Sequence, residues 1–360
     1  MPRGFAAVVF LLSCITYVAA LGYLVNATPT ATTIMQRPSM EEMVFKMVAT
    51  SALYQGHRGD EDYTGVVQPG TRERQLRDLE TWASNEPPRE RLRLITATAG
   101  TGKTAMLRSF CTNLQDRLPP ISFFAWKGDN KRNTLKHFPA TIAYQLSQKI
   151  NALVPRIQWA PHLLQPAFKE QMEHLVIRPL LSHRDDVRTQ RHVIIVVDGL
   201  DELDAKGQTE FLDFIPYFLS ELSFLPISLL VSSRPEVTVV AAFKRPKLAS
   251  ITRITELRPS YQDVRKYLND TFDDMNFQFP ELEQEHGYKW PSQEKRDIIV
   301  AQSSGLFFWP AVVIDHIKDA SEGGSHDDRL ENVLAAVLVD PSTHYTRHQL
   351  SLKCWQHDVE

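Results

Sequence analysis

A short run of small residues between two apolar segments constrains the fold of this chain more than any other feature. Residues 97–104 read Ala-Thr-Ala-Gly-Thr-Gly-Lys-Thr and follow the apolar segment 92–95. Apolar residues then recur at helical spacing from Ala105 to Phe110, so the run is predicted to join a β-strand to an α-helix. The pattern G-x-x-x-x-G-K-[ST] at such a turn is typical of a phosphate-binding loop. Residues 97–104 are called the phosphate loop below.

The residue types in the phosphate loop fit the binding of a nucleoside triphosphate with Mg²⁺. Small residues allow main-chain amides to approach an anion closely, and the following helix adds its free amides and positive dipole end. Lys103 supplies a positive charge for the terminal phosphates, and the Thr104 hydroxyl is placed to ligate Mg²⁺. Ala97 replaces the first glycine of the pattern, which alanine tolerates where φ is negative. The residues predicted to contact the nucleotide are Ala97, Ala99, Gly100, Thr101, Gly102, Lys103, Thr104 and Ala105.

Composition and charge are those of an ordinary globular protein. The chain has 360 residues, of which 43% are hydrophobic and 23% charged, which is enough for one large core or two domains. The formal net charge is −3, with basic and acidic residues interspersed, so no nucleic-acid partner is predicted. Cys14, Cys111 and Cys354 have unrelated spacings, which argues against a disulfide framework and favours a reducing compartment.

The amino-terminal segment differs from the rest of the chain. Residues 4–25 contain no charged residue, and a run of 22 residues exceeds the roughly 20 that cross a bilayer. A membrane anchor is the preferred interpretation; a cleaved signal, a buried helix and a misassigned start are the alternatives. Because a phosphate loop needs cytosolic nucleotide, the rest of the chain is expected on the cytoplasmic side of any membrane that this segment contacts.

Strands and helices are predicted to alternate through the middle of the chain. Residues 193–197 and 227–231 are continuous apolar runs, which are typical of strands buried on both faces of a parallel sheet. The alternation implies right-handed βαβ units with helices on both sides of the sheet. Beyond residue 259 only helical patterns remain. The predicted fold is α/β: the three-layer sandwich of a P-loop NTPase with a mainly parallel sheet, followed by a small all-helical lid domain.

The pattern divides the chain into five predicted segments. They are an apolar segment and linker (1–35), a helical adapter (36–90), the NTPase core (91–257), the helical lid (258–340), and the start of a further helical segment (341–360).

Charged residues follow the two buried strands at the edge where phosphate would bind. Asp198 ends the first strand, where a carboxylate can ligate Mg²⁺. Asp201 and Glu202 follow closely and are placed to orient and deprotonate an attacking water. Arg234 follows the second strand, within reach of a γ-phosphate or of transition-state charge. The alternatives are a helix N-cap for Asp198, a solvated acidic turn for Asp201 and Glu202, and an ordinary ion pair of Arg234 with either of them.

Together these motifs resemble the NACHT-type signal-transduction NTPases of the STAND class, particularly the nephrocystin-like NACHT proteins abundant in fungi. The resemblance covers about residues 65–340 and rests on the phosphate loop, on 193–202 and on 232–236. It extends to Gly70-Thr71-Arg72 before the loop. The lid segment Gly305-Leu306-Phe307 lacks the proline of the G-x-P element through which the lids of many relatives contact the base.

This resemblance implies a nucleotide-controlled switch that is ADP-bound at rest and ATP-bound when assembled into oligomers. The implied ligands are ATP or ADP, with GTP as the alternative, and Mg²⁺. The implied partners are further copies of the chain, through the NACHT domain, and an effector or ligand, in innate immunity or heterokaryon incompatibility. If the roles are carried over by position, Lys103 and Thr104 bind phosphate, and Thr104 and Asp198 bind Mg²⁺. Asp201 and Glu202 then support slow hydrolysis, and Arg234 senses the γ-phosphate.

Other interpretations remain open beside this one. A nucleotide-binding scaffold without hydrolysis is the main alternative function, and a metabolic kinase is disfavoured because no second substrate site is recognisable. The aromatic run 307–309 is interpreted as lid core rather than as a base-stacking platform. A solvated tail is preferred over a zinc site for His344, His348, Cys354 and His357, whose spacing differs from that of finger-type sites.

Overall fold

A five-stranded parallel sheet forms the centre of the fold. The structure is a computed structural model that describes residues 46–56, 65–84, 90–151, 153, 162, 165–188, 192–319 and 324–339. All strands pair in parallel, in the spatial order β2-β3-β4-β1-β5. In chain order they are Leu92–Thr96 (β1), Ile121–Phe124 (β2), Val193–Asp198 (β3), Ile227–Ser233 (β4) and Thr252–Glu256 (β5).

The apolar runs 193–197 and 227–231 form the buried strands β3 and β4. Strands β1, β3 and β4 are buried along their whole length, whereas β5 at one edge of the sheet is only partly buried. Side chains of a strand alternate between the two faces. In β3, Ile195 and Val197 accordingly join one hydrophobic cluster and Ile194 and Val196 join another. Strand β4 lies between β3 and β1, which brings the carboxyl ends of these three strands together.

Helices cover both faces of the sheet, as the sequence predicts. One face packs against α1 (Glu73–Ser84) and α2 (Lys103–Leu114), with Leu79 and Phe110 buried. On the other face, a π-helical turn joins α4 to α5, and 3-10 turns lie at Thr50–Ala52, Leu135–His137 and Leu200–Glu202. The helices on that face are α3 (Phe138–Lys149), α4 (Phe168–Met172), α5 (Arg178–Ser182), α6 (Arg184–Arg188), α7 (Ala205–Glu221), α8 (Val237–Phe243) and α9 (Pro246–Ala249).

The remaining helices form the lid. Their apolar side chains pack on one another around Phe272, Trp290 and Ile317, which are fully buried. In the described part of the chain, no strand residue belongs to this cluster. The lid helices are α10 (Tyr261–Gln278), α11 (Glu281–His286), α12 (Gln293–Gln302), α13 (Phe308–Lys318) and α14 (His326–Val339).

Some element boundaries differ from those predicted. Strand β4 continues beyond the predicted end at residue 231 to Ser233, so Arg234 follows the strand directly. The short helices α6, α8, α9 and α11 have four to seven residues each. So few residues show no periodic pattern, and the sequence does not predict these helices.

Predictions about the two ends of the chain lie outside the described residues. These are the apolar segment 4–25 and the segment 341–360 with its histidines. Among the described helices, none combines the length and the apolar character that a bilayer span requires. Cys111 in α2 is a buried free thiol, and burial raises its pKa well above the ordinary value.

Candidate nucleotide-binding site

The phosphate loop forms the turn between β1 and α2. Gly100 and Gly102 have φ angles of 78° and 85°, which side chains of L-residues rarely adopt. A Cβ at Gly100 would also lie 2.7 Å from the Cβ of Phe308, so both backbone and space require glycine there. Arg72 and Ser304 are the only non-glycine residues with positive φ in the described part of the chain, so φ at Ala97 is negative. The alanine in place of the first glycine therefore causes no backbone strain.

The main-chain amides of the loop fit an anionic ligand. Among the described residues, no group accepts a hydrogen bond from the amides of residues 98–102. Helix α2 begins at Lys103, its N-cap is Gly102, and no side chain caps it. The first amides of a helix have no intrahelical acceptor. A cradle of free amides at a helix N-terminus is the donor set that bound phosphate needs.

Lys103 lies inside this cradle. Its Nζ donates to the carbonyl oxygen of Ala97 at 3.0 Å, across the mouth of the loop. Burial lowers the pKa of the Lys103 ammonium, and the nearby carboxylates of Asp201 and Asp198 oppose that shift. The Asp201 and Asp198 carboxylates therefore lie close enough to the loop lysine to act on its charge.

Asp198 is buried at the end of β3, only 2% exposed, and is held by the neighbouring strand. Its Oδ1 accepts a hydrogen bond of 2.5 Å from Oγ of Ser232 in β4. That hydroxyl in turn accepts from the amide of Gly199 at 2.9 Å. The N-cap of the next helix, α7, is Asp204, whose side chain accepts from the amide of Gly207. The alternative of a helix N-cap for Asp198 is therefore wrong.

Arg234 pairs with the acidic residues after β3. Its Nε lies 2.9 Å from Oδ2 of Asp201, and its main-chain amide donates to Oδ1 of the same carboxylate at 3.0 Å. Its Nη2 lies 3.9 Å from Oε1 of Glu202. The Asp201 side chain is 4% exposed and that of Arg234 is 47% exposed. The ion pair given above as the alternative for Arg234 is thus present, and Asp201 does not lie in a solvated turn.

The lid contacts the phosphate loop. The main-chain amide of Phe307 donates to the carbonyl oxygen of Gly100 at 2.7 Å. Phe307 packs against the apolar cluster of the lid and Trp309 belongs to it, as predicted. Phe308 instead is 46% exposed and lies beside Gly100, so the prediction of lid core is wrong for this residue.

Sequence reasoning missed three polar residues at this site. Ser232 holds Asp198, and Ser233, at the end of β4, has a buried hydroxyl without a partner among the described residues. Arg72 reaches the loop from the segment before α1. Two serines at the end of a buried strand are a signal that could have indicated the first two. No local pattern indicates the contact of Arg72.

A metal ion would have few protein ligands at this site. Within the described residues, no three His, Cys, Asp or Glu side chains are grouped as metal ligands. Mg²⁺ in nucleotide sites is held largely by phosphates and water, with one or two protein oxygens. Thr104 at the start of α2 and Asp198 at the end of β3 are oxygen donors of the required type, so the residues fit Mg²⁺ bound with a nucleotide.

Comparisons with known proteins agree with the motif and the sheet. The family model described as Nephrocystin 3, N-terminal, matches residues 70–234. A search of curated proteins finds no significant match to the chain.

Solved structures with similar folds include the three that follow. A Walker-type ATPase of Pyrococcus abyssi is 18% identical, with 77% of this chain and 75% of that chain covered, at a TM-score of 0.46. The Aeropyrum pernix ORC1 protein in complex with DNA is 17% identical, with 77% and 68% covered, at a TM-score of 0.49. Cdc6p from Pyrobaculum aerophilum is 18% identical at a TM-score of 0.36, with 56% of this chain covered, and the match spans about half of that protein (49%).

These structural similarities are too distant to assign an activity. One of the three structures is described as a complex with DNA, and the prediction that this chain has no nucleic-acid partner stays a prediction. The family match on residues 70–234, the order of the parallel sheet and the amide cradle before α2 agree with one another. Residues 70–234 match the family model of the nephrocystin 3 amino-terminal region, and the sheet around them is that of an α/β P-loop NTPase fold.

Proposed function

We propose that the protein is a nucleotide-controlled switch that binds ATP or GTP with Mg²⁺, hydrolyses it slowly and changes its self-assembly with the bound nucleotide. The observation that carries this proposal is the ion pair of Arg234 with Asp201 beside the loop lysine. A γ-phosphate bound next to Lys103 would compete with the Asp201 and Glu202 carboxylates for the half-exposed guanidinium of Arg234. The position of Arg234 then reports whether the third phosphate is present.

Mg²⁺ would be held by the Thr104 hydroxyl and the Asp198 carboxylate, directly or through water. When bound, the ion neutralises charge that develops on the phosphate oxygens. Ser232 fixes the Asp198 carboxylate through its 2.5 Å hydrogen bond. The protein groups thus orient the triphosphate and need not supply a covalent step.

Glu202 is the better candidate of the two acidic residues for orienting the attacking water. Both oxygens of Asp201 are occupied by Arg234, at 2.9 and 3.0 Å. The contacts of Glu202 are longer, at 3.9 Å to Arg234 and 3.4 Å to the Lys127 amide, and its side chain is 25% exposed. We assign Asp201 to hold Arg234 and Glu202 to act on water.

Glu202→Gln tests this assignment. It should leave nucleotide affinity unchanged and abolish turnover, because the amide cannot accept the proton of water. Asp201→Asn, the matched variant, should retain turnover but reduce the discrimination between ATP and ADP, because it frees Arg234. Calorimetry and phosphate release measure both. Wild-type protein that binds Mg·ATP but releases no phosphate above background would favour the non-hydrolysing scaffold instead.

Two further parts of the proposal concern the whole protein. Signalling through self-assembly, in an immune or incompatibility response, rests on the resemblance to NACHT-type NTPases; light scattering with ADP or a non-hydrolysable ATP analogue tests the assembly step. A location on the cytoplasmic side of a membrane rests on the need for cytosolic nucleotide. Glycosylation of Asn269, which lies in an N-x-T sequence, would contradict that location.

A further inference from the structure

Arg72 is a buried arginine that connects the phosphate loop to the lid. It is 3% exposed and lies before α1 with a φ of 52°. Its Nη2 donates to the carbonyl oxygen of Thr101 at 2.9 Å, and its Nη1 donates to that of Arg258 at 2.9 Å. Nη1 also lies 3.6 Å from Oδ2 of Asp263 in α10, and the guanidinium carbon lies 5.5 Å from the centre of the Phe307 ring. One side chain therefore contacts the loop, the segment between core and lid, and the lid itself.

The contacts of Arg72 and Phe307 hold consecutive peptide groups of the loop. Arg72 binds the carbonyl oxygen of Thr101, and the Phe307 amide binds that of Gly100 at 2.7 Å. In a planar trans peptide the carbonyl and the next amide point in opposite directions. The Gly100 carbonyl is held toward the lid and the Thr101 carbonyl toward Arg72. The amides of Thr101 and Gly102 therefore point to the opposite side of the loop. Those amides are among the ones that have no acceptor in the described part of the chain.

The contact between Phe307 and the Gly100 carbonyl requires an amide hydrogen at residue 307. A proline at this position has no N–H and could not donate to Gly100. Phe307 is the N-cap residue of α13 and has a φ of −73°, a value that proline also adopts. The backbone at this position thus accommodates either residue, but only a residue with an amide hydrogen can hold the loop.

We propose that Arg72 and the Phe307 amide are positioning groups for the phosphate loop, and that they couple nucleotide affinity to the position of the lid. The proposal rests on the nucleotide binding proposed above. Arg72 does not contact the phosphates; it keeps the amide cradle in the geometry that phosphate needs. When the lid moves away, the loop loses both contacts and its affinity for nucleotide falls. By linkage, bound nucleotide stabilises the closed lid by the same factor.

Arg72→Lys tests the first contact. A lysine keeps the charge but cannot bridge the Thr101 and Arg258 carbonyls with a planar fork, so the affinity for Mg·ADP should fall about tenfold. Arg91→Lys is the matched control, because Arg91 also donates to main-chain carbonyls but lies at the opposite end of β1. It should lower stability without changing the affinity of the folded protein. Calorimetry reports affinity and the fraction of binding-competent molecules separately.

Two variants of Phe307 isolate the main-chain contact. Phe307→Ala and Phe307→Pro both remove the ring, but only the proline removes the amide hydrogen. Mg·ADP affinity should therefore be about fivefold lower in Phe307→Pro than in Phe307→Ala, the loss expected for one neutral hydrogen bond. Equal affinities in the two variants would overturn the role of the amide.

Hydrogen exchange of the wild type tests the coupling without any substitution. Mg·ADP should slow exchange in residues 98–104 and also in lid residues 305–309.

Protection confined to the loop overturns the coupling, and an affinity of Arg72→Lys within twofold of wild type overturns the positioning role. If Arg72→Lys does not fold, Asp263→Asn replaces it and should reduce the lid protection alone. A wild type that binds no nucleotide contradicts the proposed function and this inference together, whereas binding without these effects contradicts the inference alone.

Discussion

Lys103 is the residue whose removal should affect nucleotide binding most. Its ammonium is oriented at the loop by the Ala97 carbonyl, 3.0 Å away, and lies within the field of Asp198 and Asp201. A charge-assisted contact to phosphate is worth about 1.5 to 3 kcal/mol. Lys103→Ala should therefore weaken Mg·ADP binding roughly 10- to 100-fold by calorimetry. Lys127→Ala, which removes a lysine whose amide but not its side chain contacts the site, is the control. Unchanged affinity in Lys103→Ala would contradict the phosphate-loop assignment.

Lys149 should make stability depend on pH. Lys149 is the last residue of α3, and its Nζ donates to the carbonyls of Pro119 and His192. Burial lowers the pKa of this ammonium to about 8. In an unfolded chain the pKa is about 10.4. Between these values the unfolded chain binds more protons, so stability rises with pH; below pH 8 both states are protonated and the cost of burying the charge remains.

Lys149→Met should remove this dependence. Relative to the variant, the free energy of unfolding of the wild type should rise by up to about 3 kcal/mol between about pH 7.5 and about pH 10. Urea unfolding at the two pH values measures the difference, in which the contributions of all other groups cancel. Parallel pH profiles for the two proteins would show that Lys149 is not the group that titrates.

Local motifs predict those site residues that can be recognised from a single loop or from a single strand end. Lys103, Thr104 and Asp198 are predicted from a loop or a strand end alone, and the structure places them at the start of α2 and at the end of β3. Their roles in binding stay predictions. The bond of Ser232 to Asp198 depends on β4 lying beside β3, and the bond of Arg72 to Thr101 on a contact between residues 29 positions apart. Such contacts are set by tertiary packing, which local periodicity does not encode.

At the scale of elements, one arginine at the start of β1 terminates helix α7. The Arg91 side chain donates to five carbonyls between the last turn of this helix and the first residue of β4, and the shortest contact is 2.8 Å to Ile227. Carbonyls at a helix C-terminus have no intrahelical donor, and a cation there also opposes the negative end of the dipole. The acceptors are Leu219, Leu222, Ser223, Leu225 and Ile227.

Arg91→Ala should destabilise the protein by roughly 2 to 4 kcal/mol, because several partly buried carbonyls lose their donor at once. Arg117→Ala is the matched control, since Arg117 is exposed and should change stability by no more than about 0.5 kcal/mol. Urea unfolding of both variants measures the effect. A loss below about 1 kcal/mol in Arg91→Ala would mean that water replaces the guanidinium at these carbonyls.

The order of the strands shows how far elements can be predicted from sequence. The apolar runs 193–197 and 227–231 predict buried strands, and the alternation with helices predicts a parallel sheet, both as observed. The insertion of β4 between β3 and β1 is not predictable from periodicity, because parallel neighbours are joined through long crossovers. That insertion is what brings Arg234 to Asp201 and the loop.

At the scale of the whole molecule, core and lid have separate apolar clusters. The contacts between them in the described residues include polar ones: Arg72 with the Arg258 carbonyl and Asp263, the Phe307 amide with Gly100, and Gln68 with Asp270 at 3.5 Å. Units joined in this way open independently at a lower free energy than global unfolding. The lid should therefore lose its structure before the sheet does.

Pulsed hydrogen exchange across a urea series tests this order. Without nucleotide, helices α10–α14 should lose protection at lower urea than strands β1, β3 and β4. Mg·ADP at 100 times its dissociation constant stabilises the unit that binds it by about 2.7 kcal/mol. In the wild type both transitions should move to higher urea, because Arg72 and Phe307 join the lid to the occupied loop. In Arg72→Lys, at the same multiple of its own dissociation constant, the core transition should still move and the lid transition should move less. Loss of protection in both regions at one urea concentration without nucleotide would show instead that core and lid unfold as a single cooperative unit.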